Sequence, residues 1–106
     1  MHKSALAIRE RLAKASPQAY EPALADSYNN LAATYYYTRQ YQECETMYKL
    51  VIAIREHLVE DDPQLYGSGL AQTYINLAIV YKHTHRSAES EEMANAAAEI
   101  RERLGI

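Results

Sequence analysis

Asn30 and Asn76 are the side chains whose type and spacing best suit recognition chemistry. A carboxamide carries both donor and acceptor, so it can pair with the backbone of an extended peptide without reading its side chains. The competing role is a hydrogen bond inside the protein that only fixes local geometry. Lys82, His83, His85 and Arg86 form a basic cluster, and Arg39 is its counterpart earlier in the chain. That cluster suits an acidic ligand, or a solvated turn whose cations complement the negative end of a helix dipole. His83 and His85 make a poor metal pair, because residues two apart on a helix point to different sides and no third ligand is placed beside them. Cys44 reads as inert core rather than as a nucleophile. Tyr35, Tyr36 and Tyr37 offer stacking surfaces, but no basic surface accompanies them as nucleic-acid binding requires. There is no phosphate-cradling loop and no Ser/His/Asp arrangement. The expected activity is binding, with no enzymatic reaction, no cofactor and no metal.

Composition narrows the class further. Apolar residues make up 48% of the chain, enough for a folded domain, and three Gly and three Pro suit long helices with few tight turns. Tyrosine supplies all the aromatic bulk, since Trp and Phe are absent. Buried phenols need hydrogen-bond partners, so some hydroxyls must reach water or a neighbour. The net charge of -3 carries no long run of one sign, which argues against a nucleic-acid or anionic-membrane surface. No stretch reads as a membrane span or a signal-peptide core, and a lone cysteine fits a reducing compartment. A cytoplasmic location is expected.

The elements that must position the asparagines are set by a repeat. Ala7-Ile8-Arg9-Glu10-Arg11-Leu12 returns as Ala53-Ile54-Arg55-Glu56-His57-Leu58, and again as Glu99-Ile100-Arg101-Glu102-Arg103-Leu104. The spacing is 46 residues both times. Pro17 matches Pro63, Tyr20 matches Tyr66, and Asn30-Leu31-Ala32 matches Asn76-Leu77-Ala78. Self-similarity at such a period is the signature of stacked units. Each unit reads as two helices. Helix A covers 22–38 and 68–84, with Leu24, Tyr28, Leu31, Ala32 and Tyr35 at helical spacing, as are Leu70, Tyr74, Leu77, Ala78 and Tyr81. Pro22 suits a first turn, and Ser68 after Gly67 suits an N-cap. Helix B covers 41–58 and 87–104, and Pro17 and Pro63 stop the helix before them. Residues 3–15 are a further helix B. The result is an all-α chain of five helices in the order B-A-B-A-B.

Helix B is apolar on two adjacent stripes, Cys44, Tyr48 and Val51 on one, and Met47, Leu50, Ile54 and Leu58 on the other. Two stripes require two partners, which is the geometry of a stacked solenoid. In the last helix, Met93, Ile100 and Leu104 are expected to form an outward stripe. The Arg-Glu pairs are read as surface charge, each free to pair with a neighbouring repeat.

At these residues the chain resembles the tetratricopeptide repeat family. Tyr28-x-x-Leu31-Ala32-x-x-Tyr35 and Tyr74-x-x-Leu77-Ala78-x-x-Tyr81 match its helix A signature. The longer repeat, the Asn29-Asn30 pair and the closing Ile-Arg-Glu-x-Leu resemble the branch represented by kinesin light chains. Departures are Tyr for the frequent Trp and Ala94 for an aromatic, which leave the last repeat less bulk. The resemblance implies a right-handed α-solenoid in one domain over residues 1–106. Its parts would be a partial repeat at 3–15, repeat 1 at 16–61 and repeat 2 at 62–106. It implies a protein or peptide partner held on the concave helix A face. That face is expected to present Asp26, Asn29, Asn30, Ala33, Tyr36 and Tyr37 from the first repeat, and Gln72, Ile75, Asn76, Ile79, Lys82 and His83 from the second. Asp26, Asn29, Gln72 and Ile75 stand where a carboxylate clamp needs cations, so that clamp is not expected. So short an array implies either a part of a longer one, or a unit that self-assembles through exposed terminal helices into homo-oligomers.

Overall fold

The computed structural model describes residues 2–106, with side chains for 6–16 and 19–106. It contains α1 (His2–Ala15), α2 (Pro17–Tyr37), α3 (Tyr41–Asp61), α4 (Pro63–His83) and α5 (Ser87–Leu104). Each substantial helix–helix contact joins consecutive helices. The result is a thin slab with principal extents of 37 × 34 × 15 Å. Helices α2 and α4 are the two A helices, and α1, α3 and α5 are the B helices. The five helices and their order agree with the sequence reading.

Helix A begins five residues earlier than expected. Pro17 and Pro63 do end the helices before them, and each also opens a new helix, where its missing N–H costs nothing. Asp62 caps α4 by accepting from the Leu65 amide at 3.2 Å. Pro22 therefore lies inside α2, and Ser68 is an interior residue of α4 rather than its cap. The added turn is held by tertiary packing. Tyr20 joins the cluster around Leu24, and Tyr66 joins the one around Leu70. That contact offsets the hydrogen bond a proline removes from a helix interior.

Both A helices end in a reversed turn. The Gln40 amide reaches the Tyr35 carbonyl and the Arg86 amide the Tyr81 carbonyl, each at 2.8 Å. This closure places Arg39 (φ 61°) and His85 (φ 59°) in the left-handed region, where a Cβ is crowded.

The core runs as three linked clusters. Val51 of α3 packs with Ala13 of α1 and with Leu24, Ala25 and Tyr28 of α2. Ala32, Cys44, Tyr48, Leu77, Val80 and Tyr81 join α2, α3 and α4. Val59, Leu70, Ala71, Tyr74, Ala97 and Ile100 join α3, α4 and α5. Helix α3 contributes to all three, as its two stripes require. Ser90 of α5 is buried and donates to the Ala78 carbonyl at 2.9 Å.

The expected outward stripe of α5 is not there. Ile100 is buried, and Met93 and Leu104 pack against the same cluster. Leu104 leans on Gly67, where an added Cβ would collide with its Cδ1. A glycine inside helix A is what lets this leucine turn inward. Helix α1 does expose apolar side chains: Ile8 and Leu12 are 54% and 36% exposed, whereas Leu58, the repeat equivalent of Leu12, is 5% exposed.

Two of the three Arg-Glu pairs are likewise not plain surface charge; Arg101 and Glu102 are exposed. Arg9 donates to the Ala23 carbonyl and the Ser27 hydroxyl, and Glu10 accepts from Tyr28 at 2.5 Å. One repeat later, Arg55 donates to the Gly69 carbonyl at 3.3 Å and to Thr73 at 2.8 Å, and Glu56 accepts from Tyr74 at 2.5 Å. Helices α1 and α3 thus each clasp the A helix that follows them. These bonds satisfy the Tyr28 and Tyr74 phenols, and among the described residues no buried side-chain nitrogen or oxygen lacks a partner. Burial, reinforced by Glu10, pushes the Tyr28 phenol up to about 12. The Tyr74 phenol is raised too, by burial and then by Glu56.

Leu77→Ala should cost about 2–5 kcal/mol in urea unfolding, since Leu77 is 1% exposed in the central cluster. His85→Gly should gain about 0.5–1 kcal/mol by relieving the left-handed residue. The Tyr28 contribution has a defined alkaline limit. Its folded value of about 12 exceeds the ordinary 10.0, so its stabilisation is complete below about pH 10 and is lost as pH rises toward 12. Alkaline unfolding of Tyr28→Phe should accordingly fall less steeply over that window than that of the wild type; parallel curves would refute this.

Candidate binding groove between the A helices

The outer faces of α2 and α4 enclose an open groove of about 270 Å³. Asn29, Ala33, Tyr36 and Tyr37 line it from α2, Asn76 and Ile79 from α4, and Tyr48 of α3 from below. The A helices present these residues because their opposite stripes, Leu24 to Leu31 and Leu70 to Leu77, are consumed by the B layer. Tyr48 is 6% exposed and belongs to both core and groove. Burial raises its phenol to about 12, with Asn76 pulling the other way. Tyr37 is 82% exposed and rims the groove. No lining residue is charged.

Gln72 donates to Asn76 Oδ1 at 3.0 Å. The Asn76 side chain is also hydrogen-bonded to the Tyr48 phenol at the groove floor, and its amide keeps a second N–H as a donor. At the turn end of the groove, Tyr36 is within 3.0 Å of His83 Nε2. The His83 ring stacks on Tyr41 with centroids 5.1 Å apart and planes 6° apart. Tyr36 also meets Tyr37 and Tyr41 edge-on. This aromatic cluster fixes the tyrosines that close the groove.

The expected groove residues separate into two groups. Asn29, Ala33, Tyr36, Tyr37, Asn76 and Ile79 come together. Asn30, Asp26, Gln72, Ile75, Lys82 and His83 do not line the cavity. Asn30 is exposed, with its carbonyl accepting from Thr34. It is the repeat equivalent of Asn76, but among the described residues no A helix precedes α2 to stand opposite it. Asp26 pairs with Arg55 at 3.2 Å, and Ile75 packs toward the α4–α5 cluster. Lys82 lies exposed in the last turn of α4. The sequence pattern places Tyr48 in the core alone. Its signal was available, since an aromatic on the helix B stripe toward the next A helix reaches the floor between two A helices.

The basic cluster is partly spent. Arg86 pairs with Glu45 and with Glu89, both at 2.5 Å, and covers the Tyr81 ring with its guanidinium carbon 4.4 Å from the centroid. Burial works against ionisation of Glu45, but hydrogen bonds from Lys49 and Arg86 prevail and hold its carboxyl below the usual range. Arg86 therefore ties α3 to the α4–α5 turn instead of awaiting an acidic ligand. Among the described residues no three His, Cys, Asp or Glu side chains gather as a metal site, and no helix is long and apolar enough to cross a membrane. Cys44 is fully buried, and burial pushes its thiol up to about 11, away from the reactive thiolate. A second open cleft, of about 410 Å³, lies over Tyr74 between α3 and α5, and Glu56, Glu60, Glu99 and Arg103 stand at its edges.

Comparison with known proteins agrees with this geometry. The chain is similar to BtubC (BKLC) from P. vanneervenii, whose crystal structure superposes with a TM-score of 0.71 at 32% sequence identity. The match covers 77% of this chain and 32% of that one, so the chain spans about a third of its length. No curated protein matches the chain. A tetratricopeptide repeat model matches residues 24–64 and 70–104, one match for each A–B unit. The chain belongs to the tetratricopeptide repeat family.

Proposed function

We propose that the chain is a protein-interaction module that holds an extended peptide segment in the groove between α2 and α4, as a part of a longer array. Tetratricopeptide repeats generally mediate protein–protein interaction. The observation that carries the finer reading is the lining: carboxamides and tyrosines, no charge, and a buried phenol for a floor. Asn29 and Asn76 supply backbone-type hydrogen bonds from opposite walls. Tyr36, Tyr37 and Ile79 supply apolar area at low entropic cost. An uncharged groove selects a segment that is itself neutral where it is held. Binding rather than catalysis is the activity, and a cytoplasmic setting is the reading of composition. Self-association through α5 loses its basis, because Ile100 is buried and Met93 and Leu104 pack toward the same cluster.

Peptides selected from a random display library on the wild-type chain provide the test. Asn76→Ala and Tyr37→Ala should each weaken the selected peptides about tenfold, the scale of one central contact of about 1.4 kcal/mol. Helical circular dichroism should not change. Asn30→Ala should bind as the wild type does. Equal affinities for wild type, Asn76→Ala and Tyr37→Ala would place the peptide elsewhere.

A further inference from the structure

The groove between α2 and α4 is rich in one kind of polar group and short of the other. Asn76 Oδ1 already accepts from Gln72 at 3.0 Å, and the Asn76 amide is bonded to the Tyr48 oxygen. What this pair still turns to the groove are donors: the second Asn76 N–H and the Tyr48 hydroxyl proton. The Tyr36 hydroxyl is engaged by His83 Nε2 at 3.0 Å. Both walls are helices, whose backbone groups pair within the helix and offer nothing sideways. No lining residue is a carboxylate. The floor and the α4 wall can therefore receive carbonyl oxygens, and acceptance of a peptide N–H falls to Asn29 on the facing wall.

An ordinary extended segment carries an N–H on every residue. Held here, most of them would lose water and gain no acceptor, which is the costly half of a hydrogen bond. Proline has no N–H, so a proline-rich segment brings its carbonyls and leaves nothing unpaired. Its fixed φ pre-forms a polyproline helix, and little chain freedom is lost on binding. The apolar surfaces suit it as well. Tyr36 and Tyr37 meet edge-on, with centroids 5.5 Å apart and planes 79° apart, so their faces form a corner. Tyr41 and His83 pack on Tyr36 and hold that corner in place. Ala33, one turn earlier, is too small to fill it. A pyrrolidine ring packs against aromatic faces of this kind. The wall from Asn29 to Tyr37 is about 12 Å long at a rise of about 1.5 Å per residue, the length of about four polyproline residues.

We infer that the segment held in the groove is uncharged and proline-rich, about four residues long in the polyproline conformation. Its carbonyls accept from Asn76 and Tyr48, and a proline ring sits in the corner of Tyr36 and Tyr37. This rests on the groove being the binding site, and adds the class of segment that the site takes.

The test uses the full chain and two labelled octapeptides, Pro-Pro-Ala-Pro-Pro-Ala-Pro-Pro and the same peptide with serine at every proline. Fluorescence anisotropy should show saturable binding of the proline peptide and at least about tenfold weaker binding of the serine peptide. Tyr48→Phe removes the floor donor and keeps the ring. It should weaken the proline peptide about fivefold, and Tyr37→Ala about tenfold, with helical circular dichroism unchanged. No binding of the proline peptide, equal binding of the two peptides, or an affinity untouched by both variants would overturn the inference. The display selection separates this failure from failure of the groove itself. Selected peptides that are weakened by Asn76→Ala but are not proline-rich would leave the groove standing and overturn the proline inference. Selected peptides indifferent to Asn76→Ala and Tyr37→Ala would overturn both.

Discussion

The hydrogen bonds from one B helix to the A helix after it set the register of the whole stack. Apolar packing between helices is non-directional and tolerates sliding. Arg55 on the Gly69 carbonyl and Thr73, beside Glu56 on Tyr74, does not tolerate it. A shift of one residue would leave a carboxylate and a phenol unpaired in a part-buried place, which costs more than the bonds contribute when made. The same geometry recurs at Arg9 and Glu10, so two successive interfaces share one register. The groove inherits its width from this. Asn29 and Asn76 stand on opposite walls because α2 and α4 are each fixed against their own preceding B helix.

Much of this was legible in the sequence, for a definite reason. A period of 46 residues supplies two readings of every position, and Leu24, Tyr28 and Leu31 could be checked against Leu70, Tyr74 and Leu77. Five helices, the core stripes and the family followed. The helix starts did not, because Pro22 and Ser68 each imitate a beginning. The true beginning at Pro17 and Pro63 depends on tertiary contacts of Tyr20 and Tyr66 that no local signal announces. Met93, Ile100 and Leu104 illustrate a second limit. Periodicity tells which residues share a helix face, but not which neighbour that face meets. The missing piece was Gly67, whose absent side chain admits Leu104 from another helix.

The two asparagines show a third limit. Asn30 and Asn76 are equivalent in sequence and differ in surroundings, because a groove needs an A helix on both sides. Among the described residues only α4 has an A helix before it. Adjacent Asn29 took the place that Asn30 was expected to fill, one position round the same helix. A solenoid makes its binding surface between repeats, so the role of a residue depends on its neighbour's presence as much as on its own type.

That each substantial contact joins consecutive helices has a bearing on how the molecule forms and loses its structure. Every large contact spans a short loop of chain, so little loop-closure entropy opposes it, and contact order is low. Folding can begin at any helix pair and spread in both directions. Opening runs in reverse from the less covered end, where Ile8 and Leu12 meet water. The molecule is therefore a graded series of local equilibria, with its central pair the last to open and its first helix the readiest to exchange one partner for another.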